Sequence, residues 1–281
     1  MTNIINWLAE PFTYPFMQNA LLTALVVAII CAVLSCYLIL KGWSLMGDAI
    51  SHAVLPGVVV AYVLGLPLAT GAFGSGLCCA LSVGYLKENS RIKEDTVMGI
   101  VFSGMFALGL VMFTKVETEQ HLMHILFGNL LGVTHSELIQ TLILSALILA
   151  IIIFKRKDFL LYCFDPSHCR VVGQSPRFLH YTLLILLSLT IVSAMQVVGV
   201  ILVVAMLISP GVTAYTLSKR FDHMLIIAIV VSVFTSILGT IVSYHIDGAT
   251  GACIVLLQAI TFILALTFQN IKQKWFVVSQ N

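Results

Sequence analysis

The chain has 281 residues, of which 60 % are hydrophobic and only 9 % are charged. A soluble globular domain carries about 25 % charged and about 45–50 % apolar residues. This composition excludes a water-soluble enzyme, a disordered chain and a nucleic-acid-binding protein with a basic face, and it predicts an all-α polytopic membrane protein.

Uncharged apolar runs predict eight or nine membrane spans, since about 20 residues cross the hydrocarbon core. The first predicted span covers residues 16–40. Two more lie within 44–86, separated near residues 65–67, and the others are predicted at 96–114, at 138–154, within 178–218 as two spans that turn near Gly199, at 224–244 and at 249–269. We interpret residues 1–281 as a single integral-membrane domain.

The basic residues predict the orientation, because Lys and Arg concentrate at the cytoplasmic ends of spans. With nine spans and the N-terminus outside, 13 of the 14 basic residues lie inside and only Lys115 lies outside. We therefore expect a periplasmic N-terminus and a cytoplasmic C-terminus.

Asp48 is the one acid that falls inside a predicted span. An aspartate at the centre of a membrane helix costs about 2.5–3.5 kcal/mol on insertion scales, so such residues usually face a cavity or a partner. His52 follows four residues later, on the same helix face. A carboxylate oxygen and an imidazole nitrogen so placed form half of a site for manganese, iron or zinc. The alternative is a satisfied polar pair near the cytoplasmic interface, with Asp48 close to Lys41.

The residues around this pair predict an irregular backbone. Pro56 has no N–H, so a helix that continues through it leaves the carbonyl of His52 without its usual donor. Irregular backbone at membrane depth is tolerated where it lines a cavity. Gly57 permits close helix approach, and Ser51 lies between the two candidate ligands on an adjoining face.

The loop 164–177 is predicted to be cytoplasmic and to contain a short helix. Asp165 suits an N-cap, Pro166 suits the first helical position, and Gly173 suits a C-terminal stop. Such a helix is either a docking element for a cytoplasmic partner or an ordinary amphipathic connector. The chain has no G-x-x-x-x-G-K-[ST] sequence and hence no phosphate-binding loop of that type. Any ATPase that drives transport is therefore expected on a separate chain.

Two groups of residues are predicted outside the membrane. His245 and Asp247 sit at the outer turn of the last hairpin and are candidates for an entrance. The loop 115–137 carries acids and histidines that either attract cations or belong to a solvated interfacial segment; they are Glu117, Glu119, His121, His124, His135 and Glu137.

Several stretches resemble the membrane subunit of bacterial ABC importers for manganese, iron and zinc. They are KGWSLMGDAISHAVLPG (41–57), IKEDTVMGIVFSG (92–104), DPSHCRVVG (165–173) and VGVILVVAMLISPG (198–211). The details, including HILFGNLLGV (124–133), are most similar to the manganese/iron branch of Gram-negative bacteria.

The resemblance implies a homodimeric permease of type II-like ABC importer fold in the bacterial inner membrane. It implies a separate cytoplasmic ATP-binding subunit, which carries the ATP, and a periplasmic metal-binding protein. The chain itself is then no enzyme and holds no permanent cofactor; lipid surrounds it, and nucleic acid plays no part.

The resemblance also assigns roles to residues. Asp48 and His52 match the metal-pathway positions, supported by Ser51, Pro56 and Gly57. The loop positions that match the ATPase-coupling segment are Asp165, Pro166, Ser167, His168, Arg170 and Gly173.

Two other transport functions stay open. The first is a zinc importer permease of the same family. The second is an ion-coupled secondary metal transporter, against which Asp48 argues as the only acid within a predicted span, because ion coupling needs several intramembrane ionisable residues.

Overall fold

A computed structural model describes residues 10–116 and 130–278 of the chain. Within these ranges the protein consists of twelve α-helices and two short 3₁₀ turns, Glu10–Thr13 and Leu130–Gly132. The helices are α1 (Pro15–Lys41), α2 (Met46–Ala53), α3 (Leu55–Val63), α4 (Leu68–Asn89), α5 (Glu94–Phe113), α6 (His135–Phe154), α7 (Arg156–Phe164), α8 (Pro166–Val171), α9 (Pro176–Val198), α10 (Val200–Leu217), α11 (Phe221–Ile246) and α12 (Thr250–Val278).

Nine segments of the described ranges are long and apolar enough to cross a membrane. Eight are single helices, and the ninth, Met46–Val63, consists of α2 followed by α3. This confirms the all-α polytopic fold and selects nine spans from the predicted eight or nine. Glu117, Glu119, His121 and His124 of the predicted outer loop lie outside the described residues.

The predicted turns between spans appear where glycine or proline interrupts the apolar runs. Gly65 has φ 66° between α3 and α4, and Gly199 has φ 81° between α9 and α10. Asp247 ends α11 with φ 50°. These left-handed conformations favour glycine and tolerate Asp, which is why the chain reverses at these positions.

Burial separates a central pair of helices from the periphery. In α1 and α9, 72 % of the most apolar 18-residue window is buried, against 17 % in α5. Helix α1 packs against α10 and α11, whereas α9 packs against α4 and also contacts α2. The N-terminus of α6 is capped reciprocally: Thr134 accepts from the backbone N–H of Glu137, and the Glu137 carboxylate accepts from the Thr134 N–H. Glu137 is thus occupied in a helix cap.

Candidate metal pathway and coupling surface

Asp48 and His52 lie near the middle of the membrane domain. A Cβ added at Gly76 would lie 3.2 Å from Ile50 and 2.9 Å from Ser188. Gly76 and Ser188 are central residues of spans Leu68–Asn89 and Pro176–Val198. Because Ile50 sits between the two candidate ligands in sequence, this part of α2 lies level with the middle of those two spans.

The two side chains face each other along one turn of α2. His52 Nε2 lies 3.3 Å from Asp48 Oδ1, and the side chains are 35 % and 38 % exposed, respectively. Leu45 and Leu55 on the same side are also partly exposed. The carboxylate and imidazole therefore lie on an open face of the chain, and both can reach one bound ion.

Two aromatic rings of α5 pack against the imidazole. The ring centroid of Phe106 is 5.3 Å from that of His52 in an edge-on arrangement, and that of Phe102 is 6.2 Å away. These contacts limit the orientations of the ring. Sequence reasoning missed both residues, although their spacing of four places them on one helix face.

The second span breaks at Val54, between α2 and α3. Pro56 supplies the reason, since it has no N–H for the carbonyl of His52. The hydroxyl of Ser75 in α4 donates to the adjacent carbonyl of Ala53 at 2.6 Å. On the opposite side α5 approaches closely, since a Cβ at Gly109 would lie 2.8 Å from Pro56 N. The break is therefore held from two sides by neighbouring helices.

Gly57 lies in a backbone contact with Gly71 of α4. A Cβ at Gly57 would lie 2.0 Å from the carbonyl oxygen of Gly71, and a Cβ at Gly71 would lie 2.1 Å from that of Gly57. Ser51, by contrast, is buried and donates to the carbonyl of Gly47 within its own helix at 2.8 Å. Its hydroxyl is thus engaged with the α2 backbone.

One chain offers few side chains that could bind a metal ion at this place. Within residues 10–116 and 130–278, no three His, Cys, Asp or Glu side chains group to hold a metal ion. Asp48 and His52 therefore offer two donor side chains, fewer than the six or more ligands that manganese and other hard cations commonly take. A metal held by this pair would need further ligands from water, backbone or another chain.

The loop 164–177 forms the short helix that the sequence predicts. The Asp165 carboxylate caps α8, accepting from the N–H groups of Ser167 at 2.8 Å and His168 at 3.0 Å. At the other end Gly173 has φ 82°; its N–H bonds to the Arg170 carbonyl, and the next N–H, of Gln174, bonds to that of Cys169. Both bonds together form a Schellman stop.

The cap of α8 also sets the protonation behaviour of Asp165. The N–H groups of His168 and Ser167 hold the pKa of this carboxyl below its ordinary value. A lowered pKa means that the cap stabilises the loop at every pH above the ordinary aspartate value of ~3.9 and is lost as the pH falls through the lowered value. The Asp165 cap is thus fully present near neutral pH.

Helix α8 presents a mixed polar and apolar surface outward. Cys169 is fully buried beneath the helix, and its burial raises the pKa of its thiol. Val171, the last residue of α8, is 82 % exposed, and Phe164 at the end of α7 and Val172 directly after α8 are 66 % and 59 % exposed. Exposed apolar residues beside polar ones are typical of a protein-binding surface.

His245 lies in the last turn of α11, and Asp247 follows the helix as its C-cap. The His245 ring packs edge-on against Tyr244, with centroids 5.2 Å apart. Asp247 is exposed in the left-handed turn. The structure does not bring these residues together with the α2 pair.

The whole chain is similar to transport proteins of known family. Residues 13–269 match the ABC 3 transport family. The chain is 71 % identical over 269 residues to a probable iron transport system membrane protein of Haemophilus influenzae, covering 96 % of this chain and 99 % of that one. It is 52 % identical over 261 residues to the manganese transport system membrane protein MntB of Synechocystis, covering 93 % and 85 %.

A solved structure shares the fold. PsaBC from Streptococcus pneumoniae, in complex with Fab, matches with a TM-score of 0.83 and 41 % identity, covering 93 % of this chain and 95 % of that one. Together with the nine apolar spans found in residues 10–116 and 130–278, these matches confirm the predicted resemblance and a multi-pass inner-membrane location. The chain belongs to the ABC 3 transport family and is a membrane permease subunit of its iron and manganese branch.

Proposed function

We propose that this chain is the permease subunit of an ATP-driven importer that moves manganese or ferrous iron from the periplasm to the cytoplasm. The observation that carries this proposal is the Asp48–His52 pair, which lies at mid-depth on an open helix face. The relatives named above, an iron and a manganese system, support these two cargoes and do not favour the zinc alternative.

The metal is bound between two copies of the chain. A homodimer with the open faces of α2 opposed supplies two carboxylates and two imidazoles. Mixed oxygen and nitrogen ligands suit manganese and ferrous iron, and backbone carbonyls near the Pro56 break or water complete the shell. Without the second copy each face leaves the ion exposed.

Alternating access links this site to ATP. A periplasmic metal-binding protein delivers the ion from outside, and ATP binding and hydrolysis on separate cytoplasmic subunits move the α8 helices and switch the side to which the site is open. The exposed apolar side chains in α8 and directly beside it support this assignment. The N-terminus is then periplasmic and the C-terminus cytoplasmic.

Reconstitution tests the driving force and the cargo. Proteoliposomes that contain the permease and its ATPase subunit should accumulate ⁵⁴Mn only with ATP at the ATPase side and with the binding protein at the other. Unlabelled manganese and ferrous iron should compete more strongly than zinc. Accumulation that follows a proton or sodium gradient without ATP would instead establish the secondary transporter.

The α8 loop should be required for ATPase docking. Replacing Asp165 by Ala removes the cap, so the affinity of the detergent-solubilised permease for the ATPase subunit should fall several-fold in a pull-down or surface-binding assay. Asp165→Asn is the matched control, because Asn caps helices as well as Asp does. Equal affinity of the wild type, Asp165→Ala and Asp165→Asn would show that the capped α8 helix is not required for docking.

A further inference from the structure

A second site lies at the inner end of the membrane domain, away from the metal pair. A cavity of about 390 Å³ opens between the ends of α1, α4 and α9 and the α7–α8 segment. This volume lies in the range of about 300–1,000 Å³ that is usual for ligand pockets. Its charged and titratable lining residues are Lys41, Lys87, Glu88, Arg170, Arg177 and His180.

The lining carries a large excess of positive charge. Two lysines and two arginines face a single acid, Glu88, whose carboxylate lies 3.7 Å from Nε of Arg177. Lys87 gives one hydrogen bond to the Ile92 carbonyl at 3.2 Å, and an ammonium group has three donors. Such a cavity attracts an anion with several acceptor oxygens.

The wall of the cavity is a buried aromatic assembly. Trp43 is 1 % exposed, lines the cavity and packs edge-on against the His180 ring, with centroids 5.1 Å apart. Its indole N–H is buried without a hydrogen-bond partner. Tyr162 OH shares a hydrogen bond with His180 Nδ1 at 2.8 Å, and the Lys41 ammonium lies 4.1 Å from the Tyr162 ring centroid. This packing holds Lys41 at the wall rather than loose in solvent.

Glycine keeps the cavity open. A Cβ at Gly84 would lie 3.0 Å from His180 Nε2 and 3.3 Å from the Tyr181 ring. Tyr85 and Phe178 beside the cavity are 63 % and 62 % exposed and present apolar surface outward. The cavity therefore combines a cationic centre with an apolar rim that can contact the acyl chains of a lipid.

We propose that this cavity binds a phosphate ester, namely the headgroup of an anionic phospholipid. The cations stand where spans end, at the last residue of α1 and the second residue of α9, which is the level of lipid headgroups. Basic pockets between spans bind such headgroups through the same charge pairing. The lipid phosphate bridges Arg170 of α8 to Lys41 and Lys87 of the spans and so ties the inner loop to the membrane helices.

Thermal unfolding of the purified full-length permease tests this site without the ATPase or metal. The probes are dioctanoyl phosphatidylglycerol, dioctanoyl phosphatidylcholine and inorganic phosphate. Phosphatidylglycerol should raise the apparent Tm in a saturable manner and phosphatidylcholine should not. In Lys41→Gln/Lys87→Gln the affinity should be about 30-fold weaker, as expected for the loss of two charges near the membrane surface.

The matched control is Arg91→Gln/Lys93→Gln, which removes two charges from exposed positions of the inner α4–α5 loop and should keep the wild-type affinity. Lys41→Arg/Lys87→Arg retains both charges and should also keep the wild-type affinity. This variant keeps the proposal testable if the neutral variant does not fold. A shift with inorganic phosphate equal to that with phosphatidylglycerol would assign the site to soluble phosphate and refute the lipid. No saturable shift, or the same shift in the neutral variant and both controls, would overturn the site.

Discussion

Replacement of Asp48 by Asn and His52 by Gln should lower ⁵⁴Mn uptake at least tenfold at equal permease abundance. The side chains lie 3.3 Å apart on an open face, and the exchange removes a charge and an imidazole nitrogen while it keeps size. Loss of outer-shell partners alone typically costs about 10–100-fold in metal affinity, so loss of both protein ligands of each chain should cost at least as much.

The readouts of this experiment separate binding from assembly. Association with the ATPase subunit should stay at the wild-type level, because neither side chain lies in α8. Asp158→Asn/His223→Gln is the matched control: it removes the same two residue types at the inner surface, where Asp158 forms a half-exposed pair with Lys155 and His223 is exposed. Wild-type uptake by the Asp48/His52 variant would refute metal binding at this face of α2.

Replacement of Gly71 by Val should lower both the yield and the apparent Tm of folded permease. The carbonyl oxygen of Gly57 would lie 2.1 Å from the new Cβ, and Ala61 Cβ would lie 2.6 Å away. These are a backbone atom and a short side chain, so the conflict has no rotamer solution and α3 must move away from α4. Overpacking of this kind costs about 1–3 kcal/mol in well-packed cores, occasionally more.

The yield of monodisperse protein and its apparent Tm measure this effect. Gly74→Val is the matched control in the same helix, because no atom lies within 4 Å of its added Cβ. If Gly71→Val unfolds at the wild-type Tm, the backbone contact is not needed for the fold. Because Gly57 directly follows Pro56, a separated α3 should also disturb the break beside His52, and any protein that survives should transport poorly.

The sequence was a sufficient guide to spans and turns because the bilayer acts on each segment almost independently. A run such as 16–40 without charge must cross the hydrocarbon whatever its neighbours do, and α1 indeed covers Pro15–Lys41. The ends of α8 were predictable for a similar reason, since Asp165 and Gly173 act on backbone groups within a few residues.

The depth of Asp48 was not readable in the same way. It follows Lys41 by seven residues and stands at the start of an apolar run, which is compatible with a position at the inner surface. Only the close approach of Ile50 to Gly76 of α4, which also lies against Ser188 of α9, places this part of α2 level with the middle of those two helices.

Composition and pattern by themselves thus determined the class of protein, the number of spans to within one, and the two candidate ligands. Tertiary structure decided the depth of those candidate ligands, the aromatic contacts of His52 and the Gly57–Gly71 contact. It also decided the cationic cavity between the ends of α1, α4 and α9. The physical reason is that hydrophobicity and capping are local properties of the chain. Helix-to-helix contacts, by contrast, join residues far apart in sequence, and their geometry depends on the shapes of both partners.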